Sequence, residues 1–146
     1  MIVPYGRLAW YDITIMQLSG VRALAEFLQS NRSLTHLNPR WGYIPDPGAF
    51  KLARVLQFNH TLTHLNLESS LIFDAGAVAL AAALPSNCSL THMSLPENWI
   101  ADLGAKSLAK DLQLNCRLLY LDLYQNWISN GGVTALAQAL EQGPGV

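Results

Sequence analysis

Asn31, Asn59, Asn87 and Asn115 stand 28 residues apart along this 146-residue chain, and the residues around them recur on the same step. Leu34, Leu62, Leu90 and Leu118 form one column, and Ile44, Ile72, Ile100 and Ile128 another. Gly48, Gly76, Gly104 and Gly132 form a third, followed by Leu56, Leu84, Leu112 and Leu140. No insertion disturbs the phase across the four modules. A period between about 20 and 50 residues marks a solenoid, in which each unit buries its apolar face mainly against its neighbours. So short a unit cannot by itself offset the ~1–2 kcal/mol of conformational entropy that each ordered residue costs. It folds in a stack or not at all.

Each unit has two periodicities. In "LTHLNLES", Leu65 and Leu67 alternate with His64, Asn66 and Glu68, the two-residue step of a strand. In "DAGAVALAAAL", Ala77, Leu80, Ala81 and Leu84 recur at three and four, the step of a helix. Asp46, Asp74, Asp102 and Asn130 precede the helical pattern, where a short oxygen side chain caps the first-turn amides. Pro47 suits the first helical position, and Pro85 ends the second helix at Leu84. The repeats run 31–58, 59–86, 87–114 and 115–142, after a degenerate first repeat at 3–30 in which Met16, Gly20, Leu24, Ala25 and Leu28 keep phase. Together they make one domain, 1–146.

The stretches "LTHMSLPENWIADLGAKSLAKDL" and "LLYLDLYQNWISNGGVTALAQAL" resemble the leucine-rich repeat in its long, ribonuclease-inhibitor-like form, the type also found in NOD-like receptors. The resemblance covers Asn31 to Gln142. It implies an α/β solenoid of about five 28-residue repeats, a right-handed horseshoe with a parallel β-sheet on the concave face and α-helices on the convex face. Members of this class bind proteins, so the same is expected here. The turn asparagine of the pattern is present at Asn98 and Asn126, whereas Gly42 and Ser70 hold that column earlier and predict looser turns. Pro39 replaces the last strand leucine of its unit and predicts a shortened strand.

If Leu65 and Leu67 point inward, the alternating residues line the hollow in columns: His36, His64, His92 and Tyr120; Asn38, Asn66, Ser94 and Asp122; Arg40, Glu68, Pro96 and Tyr124. Binding hot spots are rich in aromatic residues and arginine. The partner-binding surface is therefore expected to comprise Arg40, Trp41, Tyr43, His64, Glu68, His92, Glu97, Trp99, Tyr120, Asp122, Tyr124 and Trp127. For Trp99 and Trp127, packing over the loop competes evenly with partner contact. No metal is expected at the histidine column, because a straight ladder at ~4.8 Å per strand spreads its rings too far to converge on one ion. The repeated histidine is better read as a copied module.

No phosphate loop, cofactor motif or nucleophile–base pair in an enclosed setting is evident, so the chain is not expected to be an enzyme. A formal charge of −1 gives no basic field for nucleic acid. Its most apolar run is about half the roughly twenty residues of a membrane span, and "MIVPYGRLAWYD" lacks a secretory leader. No nucleic-acid partner and no membrane insertion are expected, and the location is expected to be cytoplasmic. Cys88 and Cys116 share one column and are expected to be buried free thiols. Three N-x-S/T sequons, at Asn31, Asn59 and Asn87, recur because the unit recurs. The alternative to a protein-binding module is a structural building block docking through the open solenoid ends, end-to-end self-association included.

Overall fold

The computed structural model describes residues 10–12, 18–39 and 43–142. Strands and helices alternate: β1 Trp10–Asp12, α1 Leu18–Ser30, β2 His36–Asn38, α2 Asp46–Leu56, β3 His64–Asn66, α3 Asp74–Ala83, β4 His92–Ser94, α4 Asp102–Leu112, β5 Tyr120–Asp122 and α5 Asn130–Gln142. The strands form one parallel sheet in the order β1-β2-β3-β4-β5. With the helices packed alongside one another in the same order, the result is an α/β solenoid. Pro85 lies in a 3-10 turn at Leu84–Ser86 that closes α3, one residue from where the sequence ends that helix.

From β2 onward each strand pairs 28 residues ahead, as in His64↔His92. The first pair departs from this step: Trp10↔His36 is offset by 26. Helix α1 keeps the repeat phase, so the connection before it is two residues shorter than in later units. A shift of two keeps the inward–outward alternation of the strand intact.

The repeated apolar columns build one continuous core. Leu34, Leu62 and Leu90 are fully buried, as are Ile44, Ile72 and Ile100. The polar columns run through it as ladders. Asn87 Oδ1 accepts from the amides of Ser89 and Leu90, at 3.1 and 2.7 Å. Its Nδ2 donates to Leu56 O and Asn59 O of the preceding unit, at 2.6 and 3.2 Å. Asn59 and Asn115 repeat the pattern. Each therefore caps carbonyls one helix back while shaping its own turn into the next strand.

The aspartates do not cap their own helices. Pro45, Phe73 and Ala101 are the N-cap residues of α2, α3 and α4, and no side-chain cap bond is made there. Asp46 Oδ1 instead accepts from Phe73 N and Gly76 N, the start of the following helix, at 2.8 and 3.0 Å. Asp74 does the same for Ala101 N and Gly104 N, both at 2.8 Å. Stacking brings the carboxylate of one first turn against the positive helix end of the next. The glycine column follows from this approach. A Cβ on Gly76 would lie 2.5 Å from Asp46 Oδ1 and 2.9 Å from Ile72 Cγ2.

Three further sequence expectations change. Strand β2 is as long as its neighbours; Pro39 shortens only the pairing, since β2 and β3 share two residue pairs where β3 and β4 share three. The equivalent Leu67 and Leu95 donate to Ser94 O and Asp122 O, a bond proline has no N–H to make. The Ser70 turn is held, not loose, because Asn98 Oδ1 of the next unit accepts from Ser70 N and Ile72 N at 3.1 and 2.9 Å. Gly42 lies outside the described residues. Cys88 and Cys116 are free thiols, but both are exposed. The asparagine before each cysteine turns inward to cap, which sends the next side chain to the surface.

Candidate functional site

Alternation along each three-residue strand sends the middle side chain into the core, as Leu37, Leu65 and Met93 show. It turns the flanking ones outward. His36, His64 and His92 consequently stack face to face, with ring centroids 4.0 and 4.1 Å apart and planes inclined by 15° and 10°. Tyr120 continues the row at 5.7 Å from His92. The rings sit closer than the ~4.8 Å between strands, so they lean together to make van der Waals contact. With Asn38, Asn66 and Ser94 they line a shallow depression of ≈ 210 Å³ on the outer face of the sheet.

Threonines preceding the histidines hold the rings in place. Thr63 Oγ1 donates to Thr35 O at 3.0 Å, and Thr91 Oγ1 donates to Thr63 O at 3.1 Å. Thr63 Oγ1 also lies 2.8 Å from His64 Nδ1, and Thr91 Oγ1 lies 2.9 Å from His92 Nδ1, so each hydroxyl pins the ring that follows it. Burial, and after it the charges that His36 and His92 would carry, hold the His64 pKa below its ordinary 6.5.

A second aromatic row borders the sheet. Phe73, Trp99 and Trp127 stack at 5.9 and 5.4 Å. Backbone bonds from Trp99 N to Ile72 O and Trp127 N to Ile100 O, both 2.8 Å, hold the row in place. Packing and exposure coexist here, since Trp99 stays 44 % and Trp127 66 % exposed. At the adjoining turns Ser69, Glu97 and Gln125 hold left-handed backbones with φ of 52°, 53° and 51°. Ser69 Oγ donates to Glu97 Oε2 at 2.8 Å.

Of the residues singled out from sequence, His64, His92 and Tyr120 share the depression. Asp122 stands beside them, with Oδ2 3.5 Å from the Tyr120 hydroxyl and Oδ1 accepting the Tyr124 amide at 2.9 Å. Trp99 and Trp127 lie in the second row, Glu97 lies on its turn with Ser69, Glu68 is partly buried, and Tyr43 and Tyr124 are exposed. Arg40 and Trp41 lie outside the described residues. The sequence selection passed over His36, Asn38, Asn66 and Ser94, which line the depression. Their columns already contained the signal. Phe73 carried none, because Pro45, Ala101 and Ser129 occupy its column.

Among the described residues no group of three or more His, Cys, Asp or Glu is placed to hold a metal ion. Parallel rings point their lone pairs side by side, whereas a shared ion would sit ~2.0–2.1 Å from each nitrogen. No helix among the described residues is long and apolar enough to cross a membrane.

A family model described as Leucine Rich repeat matches residues 58–81, 86–109 and 114–137. No curated protein matches. Among solved structures the chain is similar to "Leiomodin-1 Actin-Binding Site 2 (ABS2)", with a TM-score of 0.75 and 20% identity over 92% of this chain and 80% of that one. It is also similar to the tropomodulin C-terminal domain of Caenorhabditis elegans, with a TM-score of 0.54 and 13% identity over 84% of this chain and 92% of that one. The repeat matches fall on the 28-residue step that sets the strand register, and these structures share the fold. The chain is a leucine-rich-repeat protein.

Proposed function

We propose that the chain is a non-enzymatic protein-binding module that takes its partner on the outer face of the sheet and the adjoining loops. In this reading it is a horseshoe of about five units, of the ribonuclease-inhibitor-like class, working in the cytoplasm. One observation carries it: Tyr120, Tyr124 and Trp127 are 51, 67 and 66 % exposed on neighbouring positions, with no part in the core. Rigid aromatic rings supply contact area at low entropic cost, which is why hot spots are rich in them. The leiomodin-1 neighbour is named as an actin-binding site, which supports a protein as the class of partner. A face this open to water offers no enclosed transition-state pocket, and exposed unpaired thiols fit a reducing compartment. The test is a pull-down from the native source with Tyr120→Ala, Tyr124→Ala and Trp127→Ala. Loss of the partner with an unchanged circular dichroism spectrum supports the reading; undiminished capture sinks it.

The building-block alternative is favoured by a separate observation. Leu140 is 69 % exposed although its column mates Leu56 and Leu84 are buried to within 2 %. Light scattering decides between the two: a mass above that of the monomer that falls on Leu140→Glu supports docking through that end of the stack.

A further inference from the structure

Cys88 and Cys116 stand one repeat step apart, and both thiols are free and exposed. Arg32 and His60 hold the same column in the two preceding units, so thiols meet at this one step of the stack. Both cysteines lie in the bends that lead into β4 and β5. Bonds on either side of the pair fix the step between them. Before it, Asn115 Nδ2 donates to Asn87 O at 3.1 Å. Beyond it, Arg117 Nε donates to Cys88 O at 3.2 Å, and Leu119 N donates to Thr91 O at 2.8 Å. The strands that follow keep this register, His92 beside Tyr120. Equivalent positions on adjacent strands stand ~4.8 Å apart, and a disulfide bridges Cα atoms about 4.4–6.8 Å apart. Asn87 and Asn115 turn their side chains inward to cap carbonyls, which sends both cysteine side chains to one outer surface. Bridging them gives up only a weak contact, that of the Cys88 thiol with Ser86 O at 3.8 Å.

We propose that Cys88 and Cys116 form a dithiol modification site, which a peroxide converts into an intramolecular disulfide. The thiolate of one cysteine attacks a peroxide oxygen and breaks the O–O bond, giving a sulfenic acid and hydroxide. The hydroxide takes up the proton that this thiol released and leaves as water. The second sulfur then attacks the sulfenic sulfur; the S–S bond forms, and the sulfenic oxygen departs as water with the second thiol's proton. The two sulfurs have given two electrons to the peroxide, and an external dithiol returns them. The site is separate from the depression on the sheet, whose lining includes neither cysteine. Its effect falls on the last unit, whose helix is the less covered, with Leu136 partly and Leu140 largely exposed. The bond closes a loop around α4 and ties that unit to its neighbour, removing conformational freedom from the unfolded chain. Oxidation thereby steadies the unit that carries Tyr120, Tyr124 and Trp127.

The test treats the full chain, reduced, freed of reductant and held at high dilution, with hydrogen peroxide. The intact mass is expected to fall by the two thiol hydrogens, with no thiol left for N-ethylmaleimide. Trypsin cuts after Arg54, Lys106, Lys110 and Arg117, so the product should appear as peptide 55–106 joined to peptide 111–117. Dithiothreitol should part the two, and neither Cys88→Ser nor Cys116→Ser should yield the joined pair. Oxidised wild type is expected to melt roughly 5–10 °C above the reduced form, whereas peroxide should leave the melting temperature of either serine variant in place. Monomers whose two thiols still take N-ethylmaleimide, or carry separate sulfinic acids, overturn the proposal. So does a disulfide found only between chains. The wild-type peptide map reads the outcome even where a variant fails to fold. A joined peptide with an unmoved melting temperature overturns the steadying of the last unit.

Discussion

Gly76 and Asp46 show how a single residue is constrained by a neighbour 30 positions away. Alanine is intrinsically favoured over glycine in a helix by roughly 1 kcal/mol, yet a Cβ here meets Asp46 Oδ1 at 2.5 Å and Ile72 Cγ2 at 2.9 Å. Overpacking wins, and Gly76→Ala is expected to destabilise by about 1–3 kcal/mol. In an Asp46→Ala background the closest of those atoms is gone, so the two changes should couple favourably in a urea-denaturation double-mutant cycle. Asn87 is constrained more tightly, since it is 2 % exposed and uses both amide atoms. Asn87→Asp would aim a carboxylate at Leu56 O and is expected to cost about 3–5 kcal/mol, read as a lower urea midpoint. The same burial closes the "NHT" and "NCS" sequons to glycosylation of the folded chain. Cys88 and Cys116, by contrast, should both react with a thiol reagent without denaturant.

At the scale of the element, the histidine row ties stability to pH. The His64 pKa is lowered in the fold, by burial first and then by its two histidine neighbours. The unfolded chain then binds more protons between the lowered value and 6.5. The stabilisation is thus complete above 6.5 and is lost as pH falls from there through the folded value. Asp102 adds a second, more acid step. The Ser129 hydroxyl and backbone amide hold its carboxyl below the ordinary 3.8, so its contribution persists above 3.8 and fades beneath it. Thermal melts across this range should show two separated losses, with His64→Phe erasing the upper one. Pro39 offers a different check. Pro39→Leu restores the ladder donor that Leu67 and Leu95 carry. The added bond is worth about 1 kcal/mol, offset in part by the freer unfolded chain. A slowly exchanging amide at position 39 is the sharper reading.

Across the whole molecule, stability is a sum over neighbouring units. Leu80 is fully buried between flanking helices, whereas Leu136, in the same column, is only partly covered. Leu80→Ala is expected to cost about 2–5 kcal/mol and Leu136→Ala clearly less, and α5 should exchange its amides faster than α3. The period, the strand and helix in each unit and the buried leucine and isoleucine columns were legible in the sequence, because a copied module repeats its own burial pattern at a constant step. So were His64, His92, Tyr120 and Asp122, which alternation alone turns to one face. Other features are decided between units. The aspartates cap the next helix, the asparagines reach back to the previous one, Asn98 holds the Ser70 turn, and β1 enters two residues out of step. The stacking of Phe73 on Trp99 and the threonine contacts at Nδ1 of His64 and His92 belong to the same class. A one-dimensional period reports which residues are equivalent; only the stacked structure determines which equivalent atoms touch, and hydrogen bonds and ring contacts depend on fractions of an ångström across that gap.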